Sequence, residues 1–164
     1  MEIAQTLALV AATVTTGLVS GLFYGFAISV MPALRGGDDR TFIDVMQRIN
    51  VAILNGWFLL GYIGALVFTA LAAGLQFGGG DRDAMVPTVS ALVCYIASLT
   101  VTGRVNIPLN NALAAAGAPG RITQPRAVRE EFEGPWVRAN VVRTVLCTAA
   151  TGLLCWALVV HGGS

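Results

Sequence analysis

Apolar residues form four long runs along the chain, and shorter, more polar segments separate them. The runs cover residues 3–34, 51–77, 84–103 and 140–160. A helix needs roughly 20 predominantly apolar residues to cross a bilayer, and each run reaches that length. The pattern therefore predicts an all-α protein, a membrane four-helix bundle with short interfacial helices. We expect a single integral membrane domain over residues 1–164, with spans at about 5–31, 51–75, 84–105 and 137–160.

Shorter amphipathic or charged segments adjoin the predicted spans. Residues 39–48 carry apolar side chains at helical spacing after Asp38 and Asp39, either of which is a suitable N-cap. Residues 125–133 form a second, charged segment of helical character. We expect both to be short interfacial helices. Pro32 is expected to end the first span, and Pro135 to lie in the first turn of the fourth.

The basic residues indicate how the spans are oriented. All of them are arginines, and all except Arg82 lie in the first or third connection or at the adjoining helix ends. The positive-inside rule then places these two connections in the cytoplasm and both termini outside the cell membrane. The formal net charge is +1, which gives no electrostatic basis for binding nucleic acid.

Polar side chains gather at the helix ends on the side of the first and third connections. Such groups are costly at membrane depth and often mark a working site. Trp136, Asn140 and Arg143 are spaced to form one stripe of the fourth span. Pro108 is expected to interrupt the helical hydrogen bonds near Arg104. We predict that one cavity is lined by Gln47, Asn50, Asn106, Asn110, Trp136, Asn140 and Arg143.

Cysteine and histidine usage bears on metal and cofactor binding. Cys94, Cys147 and Cys155 all fall in apolar spans, and the single histidine, His161, lies far from the polar cluster. A haem held between two histidines is excluded by this count. Zinc, iron and copper sites usually draw on several imidazoles or thiolates. We therefore expect no metal site.

Four segments stand out in order along the chain: GFAISVMPAL at 25–34, MQRIN at 46–50, NIPLNN at 106–111 and WVRANVVRT at 136–144. Together they resemble the anthrone-oxygenase-like family of small membrane proteins. The resemblance covers most of the chain. It implies an oxygenase that converts anthrones to anthraquinones with dioxygen and without a cofactor. Many members of the family have no assigned function.

The implied chemistry suggests roles for the polar cluster. An anthrone that loses a proton becomes an electron-rich anthranolate, so the site must hold a flat aromatic ring system and stabilise an oxyanion. We expect catalytic roles for Arg143, Asn140, Asn110 and Asn50. We expect substrate contacts from Trp136, Asn106, Gln47, Tyr24, Phe23 and Arg104. Asp44, Glu131 and Glu133 are the candidate bases.

Three functions are compatible with this sequence. The first is a membrane oxidoreductase, a monooxygenase of the anthrone-oxygenase type that lies in the lipid bilayer and acts with dioxygen on a small hydrophobic aromatic molecule in a polar pocket at the cytoplasmic end of the bundle. The second is a non-enzymatic small-molecule binder, or a subunit of a transporter or other complex. In the third, the asparagines and arginines only cap and anchor helices. Gly17, Gly21 and Gly25 form a small-residue stripe that could pack helices within one chain or within a homo-oligomer.

Overall fold

The computed structural model describes residues 2–79 and 82–163, which form four long helices and one shorter one. In chain order these are α1 (Glu2–Arg35), α2 (Asp39–Ala52), α3 (Gly56–Gly79), α4 (Arg82–Ala115) and α5 (Pro125–Gly162), with a 3-10 turn at Pro119–Arg121. Helices α1, α3, α4 and α5 are each long and apolar enough to cross a membrane. Within the described ranges there is no strand. The predicted all-α, multi-pass membrane bundle is confirmed.

The four long helices pack in a ring, in which α1 contacts α3 and α5, and α4 contacts the same two helices. Near the chain termini the buried residues are mostly alanines, including Ala8, Ala72, Ala91 and Ala150. Small side chains let helix backbones approach closely, which is how membrane helices gain packing energy. Large apolar residues cover the outside of the bundle, as they must where helices face hydrocarbon.

The other end of the bundle, which holds the connections 36–55 and 116–124, is called the arginine-rich end below. Here α2 crosses the bundle and buries its apolar face. A compact end cluster results, made of Phe26, Met31, Phe42, Ile43, Met46, Leu113, Ile122, Phe132 and Trp136. Asp38 caps α2 by accepting hydrogen bonds from the backbone N–H groups of Arg40 and Thr41, at 3.1 and 3.0 Å. The predicted helix at 39–48 is thus confirmed and extends to Ala52.

Two arginines tie the connections of this end together. Arg40 donates to the backbone carbonyls of Pro119 and Ile122, so it joins the first connection to the third. Arg129 donates to the carbonyls of Arg35 and Gly37, both at the end of α1, at 3.0 and 2.9 Å. Part of the arginine enrichment therefore has a structural cause, which is the pairing of loop carbonyls that no helix satisfies.

The proline expectations were partly wrong. Helix α1 does not stop at Pro32 but continues to Arg35, with a π-helical segment at Phe26–Val30 just before the proline. The same arrangement precedes Pro108, where Thr102–Asn106 is π-helical and the helix resumes at Ile107. Proline removes one hydrogen bond and crowds the carbonyl four residues earlier, and the wider turn accommodates both effects.

Two boundaries also differ from those expected from sequence. The charged segment 125–133 is not a separate interfacial helix, because α5 runs unbroken from Pro125 through Pro135 to Gly162. Helix α3 begins at Gly56, since the Asn55 side chain accepts from the N–H of Phe58 at 3.0 Å and caps it. A local cap of this kind ends one helix and begins another even within a continuous apolar run.

The glycine stripe of α1 serves contacts within the chain at one position. A Cβ atom built on Gly17 would lie 3.8 Å from the Thr151 side chain of α5, whereas Gly21 and Gly25 meet nothing within 4 Å. Close packing between α1 and α5 therefore uses Gly17. The homo-oligomer stays a prediction.

Candidate functional site

A cavity of about 260 Å³ lies at the arginine-rich end, between α1, α3, α4 and α5 and next to the end of α2. Its walls are formed by Leu22, Phe23, Phe26, Ile49, Asn50, Ile53, Leu54, Phe58, Leu59, Tyr62, Ile63, Thr102, Asn106, Ile107, Asn110, Trp136, Asn140 and Arg143. Pockets for drug-sized ligands usually enclose roughly 300–1,000 Å³. This one, the Arg143 cavity, is therefore sized for a small ligand of a few fused rings.

Arg143 supplies the only formal charge among these lining residues. Arg143 is 6% exposed, and its Nη2 donates to Asn140 Oδ1 at 2.8 Å. Nη1 makes a longer contact of 3.4 Å to Thr102 Oγ1, and Nε has no partner within the described residues. Across residues 2–79 and 82–163, no carboxylate forms an ion pair with this guanidinium. A buried positive charge without a counter-charge is costly, and an anion in the cavity would offset that cost.

Asn140 fixes the position of this guanidinium. Its Nδ2 donates to the backbone carbonyl of Phe23 in α1 at 3.0 Å, while its Oδ1 accepts from Arg143. Because the amide donates on one side and accepts on the other, only one orientation satisfies both bonds. The guanidinium carbon lies 4.1 Å from the centroid of the Phe23 ring and 5.6 Å from that of Trp136. Both aromatic faces stabilise the cation in a desolvated setting.

Two asparagines bring unpaired polar atoms to the cavity. Asn106, at the end of the π-helical segment, is 1% exposed, and neither its Nδ2 nor its Oδ1 has a hydrogen-bond partner among the described residues. Within the same ranges, Asn50 Nδ2 is likewise buried without a partner. Leaving a buried donor or acceptor unpaired costs about 1–3 kcal/mol, so such groups call for an explanation. A ligand that carries both an acceptor and a donor would satisfy them.

Aromatic side chains form two of the cavity walls. Trp136 Nε1 donates to Asn110 Oδ1 at 2.9 Å, which orients the indole, and the ring of Phe26 lies 5.7 Å from it. On α3, Phe58 and Tyr62 stack with centroids 5.1 Å apart. Flat rings on both sides suit a flat aromatic ligand.

The structure brings together most of the site residues predicted from sequence. Those that line the Arg143 cavity are Phe23, Asn50, Asn106, Asn110, Trp136, Asn140 and Arg143. Gln47, Tyr24 and Arg104 do not line it. Gln47 Nε2 instead donates to the carbonyls of Leu113 and Gly117 at 2.8 and 3.0 Å, and so caps the end of α4.

Tyr24 and Arg104 lie outside for a reason of helical phase. Tyr24 follows the buried Phe23 by one residue, and Arg104 precedes the buried Asn106 by two. Neighbours at such spacing point to different sides of a helix. Both side chains are exposed on the outer surface.

None of the three candidate bases lines the cavity. Asp44 pairs with Arg48 at 3.0 Å, and Glu133 pairs with Arg129 at 2.7 Å. Glu131 lies at a separate, smaller hollow beside Leu109 and Phe132. None is therefore in position to take a proton from a ligand beside Arg143. Within residues 2–79 and 82–163, the cavity wall contains no Asp, Glu or His.

The cavity residues that sequence reasoning missed include Phe58, Tyr62 and Thr102. Phe58 and Tyr62 are four residues apart, so they share one face of α3, but apolar runs do not show which face points inward. Tyr95 on α4 sets this helix in place, since its hydroxyl donates to the Tyr62 carbonyl at 2.7 Å. Thr102 gave no sequence signal because a threonine near a helix end is common.

Metal ligands are not assembled in the part of the chain that the structure describes, where no three His, Cys, Asp or Glu side chains lie close enough to share an ion. His161 lies at the opposite end of the bundle, with Nε2 at 3.0 Å from the hydroxyl of Thr6. We assign no residue of this chain as a metal or cofactor ligand.

Comparison with known proteins gives a family. No curated protein and no solved structure matches the chain. The family model for anthrone oxygenase matches residues 57–153, more than half of the chain. The match includes α4, most of α3 and α5, and the cavity residues Tyr62, Asn106, Trp136 and Arg143. The chain belongs to the anthrone oxygenase family.

Proposed function

We propose that this protein is a membrane oxygenase that needs no cofactor and oxidises a small, anthrone-like aromatic molecule in the Arg143 cavity. The observation that carries this proposal is the buried guanidinium of Arg143, which faces an apolar aromatic pocket and has no carboxylate partner in residues 2–79 and 82–163. Membership of the anthrone oxygenase family supports the class of reaction.

In the proposed reaction an anthrone loses one proton from its CH₂ group and becomes an anthranolate, whose negative charge rests on oxygen. Electrons pass from the anthranolate to dioxygen, a C–O bond forms at the former CH₂ carbon, and loss of water from the hydroperoxide leaves the quinone carbonyl. The overall change is anthrone plus dioxygen to anthraquinone plus water. All electrons come from the substrate, so the balance needs no further reductant.

Arg143 acts in this scheme by stabilising the oxyanion. A fixed positive charge in a site shielded from bulk water is worth far more than one in solution, and it lowers the pKa of the bound substrate. With no carboxylate or imidazole on the described cavity wall, we propose that a water molecule held in the cavity takes the proton and returns it to the peroxide oxygen. Asn140 holds the guanidinium in place, so it is a positioning residue.

The remaining cavity residues bind and orient the ring system in this proposal. Asn106 and Asn50 pair with polar substituents on the edge of the ligand, which would satisfy their unpaired amide atoms. Trp136, Phe23 and Tyr62 contact its faces. Asn110 orients Trp136 through the bond to its indole nitrogen.

The test is aerobic oxidation of anthrone by the purified protein with no added metal or flavin, followed by dioxygen uptake and quinone absorbance. Arg143→Ala should lower turnover by about 10²–10³. Arg143→Lys keeps the charge but not the planar fork, so it should recover only part of the activity. Arg138→Ala, an exposed position on the same helix, is the matched control.

Two results would contradict this function. Normal turnover by Arg143→Ala would remove Arg143 from the mechanism, and a stoichiometric metal, haem or flavin in the active protein would remove the cofactor-free reaction. Tight binding of anthrone that is released unchanged would instead support the alternative, a non-enzymatic small-molecule binder.

For the orientation, we propose that the arginine-rich end faces the cytoplasm and that both termini lie outside the cell membrane. Arg40 and Arg129 have structural roles and are set aside as evidence. Exposed arginines still remain at this end, among them Arg104, Arg121 and Arg138. The opposite end has Arg82 alone. The excess of arginines at this end therefore remains without Arg40 and Arg129, and the positive-inside rule still favours this orientation.

A further inference from the structure

The rim of the Arg143 cavity differs in character from its deep wall. The deep wall contains buried residues such as Arg143, Asn140 and Asn106. Toward the outside, the lining includes Leu59 and Ile63 on α3, Ile107 on α4 and Leu54 just before α3, which are 44%, 51%, 49% and 69% exposed. None of these rim side chains is polar. In a membrane, this opening would face hydrocarbon rather than water.

The gap between α3 and α4 follows from how α4 changes partners along its length. Residues Arg82–Val101 pack against α3, where Tyr95 bonds to the Tyr62 carbonyl. Beyond the π-helical segment, Ile107–Ala115 keeps its contact with α5 and packs against α2 in place of α3. The two helices therefore separate beyond Tyr62, and the cavity opens between them.

Where the cavity meets the end cluster, its wall is closed. Phe26 and Trp136 belong both to the cavity wall and to the end cluster, whose members are all buried. Gln47 ties α2 to the end of α4 over this cluster. A ligand arriving from water on this side would have to open a packed apolar core, at a cost of several lost contacts.

The depth of the opening matches the outer edge of the hydrocarbon. Trp57 is 86% exposed at the start of α3, the position at which a spanning helix often carries an interfacial aromatic anchor. Leu59 and Ile63 lie two and six residues further along α3, which corresponds to about 3 and 9 Å at 1.5 Å per residue. Small aromatic molecules accumulate in this zone of a bilayer.

We propose that the Arg143 cavity fills sideways from the bilayer, through a portal between α3 and α4 bounded by Leu59, Ile63 and Ile107. The ligand is an uncharged, planar molecule dissolved in the lipid, which becomes anionic only beside Arg143. The ligand class rests on the proposed function, whereas the portal rests on the packing of the helices.

The portal can be tested with anthraquinone, which is planar, uncharged and not consumed by the reaction. The protein is placed in lipid nanodiscs with Trp57 and Trp156 changed to phenylalanine, so that Trp136 on the cavity wall is the remaining indole. Quenching of its fluorescence after rapid mixing gives the association rate, and displacement gives the dissociation rate.

A rim variant, Ile63→Phe with Ile107→Phe, narrows the portal without touching the deep wall. Association should slow by about tenfold or more, within the range that access changes produce. Dissociation should slow by the same factor, because a higher barrier in the portal slows entry and exit equally and leaves the binding constant of the ligand unchanged. The matched control, Val67→Phe with Val93→Phe, changes two lipid-facing positions of the same helices outside the cavity and should keep both rates.

Each other outcome gives a definite answer. Equal rates for the rim and control variants would overturn the portal, as would a sulfonated anthraquinone that enters as fast as the uncharged one. Absence of saturable quenching in the parent protein would show that the cavity does not take an uncharged tricycle, which also overturns the proposal. Gated binding without dioxygen uptake on anthrone would leave the portal standing and refute the proposed oxygenase.

Discussion

Asn140→Asp is the most direct perturbation of the charge on which the proposed function depends. The substitution keeps the size and shape of the side chain and changes only its charge and its donor. Because Asn140 Oδ1 already lies 2.8 Å from Arg143 Nη2, the introduced carboxylate would form an ion pair with the guanidinium. The cavity would then keep its form and lose its net positive charge.

The size of the effect follows from the electrostatics. Two unit charges about 4 Å apart interact by about 4 kcal/mol at an effective dielectric constant near 20. If the oxyanion loses an attraction of this size, turnover should fall by roughly 10³, since about 1.4 kcal/mol corresponds to a factor of ten. The variant loses the hydrogen bond from Asn140 Nδ2 to the Phe23 carbonyl, and this loss lowers the stability of the fold by about 1–3 kcal/mol. The new ion pair offsets part of that cost. We therefore expect a large loss of activity with a small change in stability.

The assay compares anthrone-dependent dioxygen uptake and thermal unfolding of the parent and the variant in the same detergent. Asn111→Asp is the matched control, because it makes the same chemical change at an exposed asparagine outside the cavity. That control should keep its turnover.

Turnover of Asn140→Asp near that of the parent, with the fold intact, would refute the reasoning, because an uncompensated charge on Arg143 would then not be needed. Equal losses in Asn140→Asp and Asn111→Asp would point to a general effect of added negative charge rather than to the site.

Three further predictions concern the frame around the site. Arg129→Ala should lower the free energy of unfolding by about 3 kcal/mol, because it leaves the carbonyls of Arg35 and Gly37 without this donor and leaves the exposed Arg35 as the remaining ion-pair partner of Glu133. Arg126→Ala, at an exposed pair, should cost under about 1 kcal/mol in chemical denaturation. The pKa of Asp38 is held below its usual 3.8 by its hydrogen bonds from Thr41. Any stability that the Asp38 charge adds relative to Asp38→Asn should therefore be fully present above pH 3.8 and be lost as the pH falls through the lower pKa of the folded protein. An impermeant thiol reagent applied outside cells should label Gly163→Cys and spare Gly36→Cys, and the reverse pattern would invert the proposed orientation.

The helical bundle could be predicted from the sequence because its cause is local. Each long apolar run must satisfy its own backbone hydrogen bonds in lipid, so helix number and approximate length follow from composition alone. The cap at Asp38 is also local, since it needs only a carboxylate two or three residues before free N–H groups. Likewise, the spacing of Trp136, Asn140 and Arg143 is enough to put them on one stripe.

The walls of the cavity and the roles of some polar residues were decided by the tertiary structure. Sequence does not show which face of α3 turns inward, so Phe58 and Tyr62 were missed. Gln47 was expected to line the site, but the free carbonyls at the end of α4 pair with it instead. The π-helical segments before Pro32 and Pro108 change the helical phase, which a regular periodicity cannot anticipate.

The sequence by itself determined that a buried arginine and several asparagines would gather at one end of a four-helix membrane bundle. Only the tertiary structure decided that no carboxylate on the described cavity wall meets Arg143, and that α3 and α4 separate beside it. The physical reason is the range of the interactions. Helix formation in lipid depends on neighbours along the chain, whereas charge pairing and cavity shape depend on which distant side chains the packed helices bring within a few ångströms.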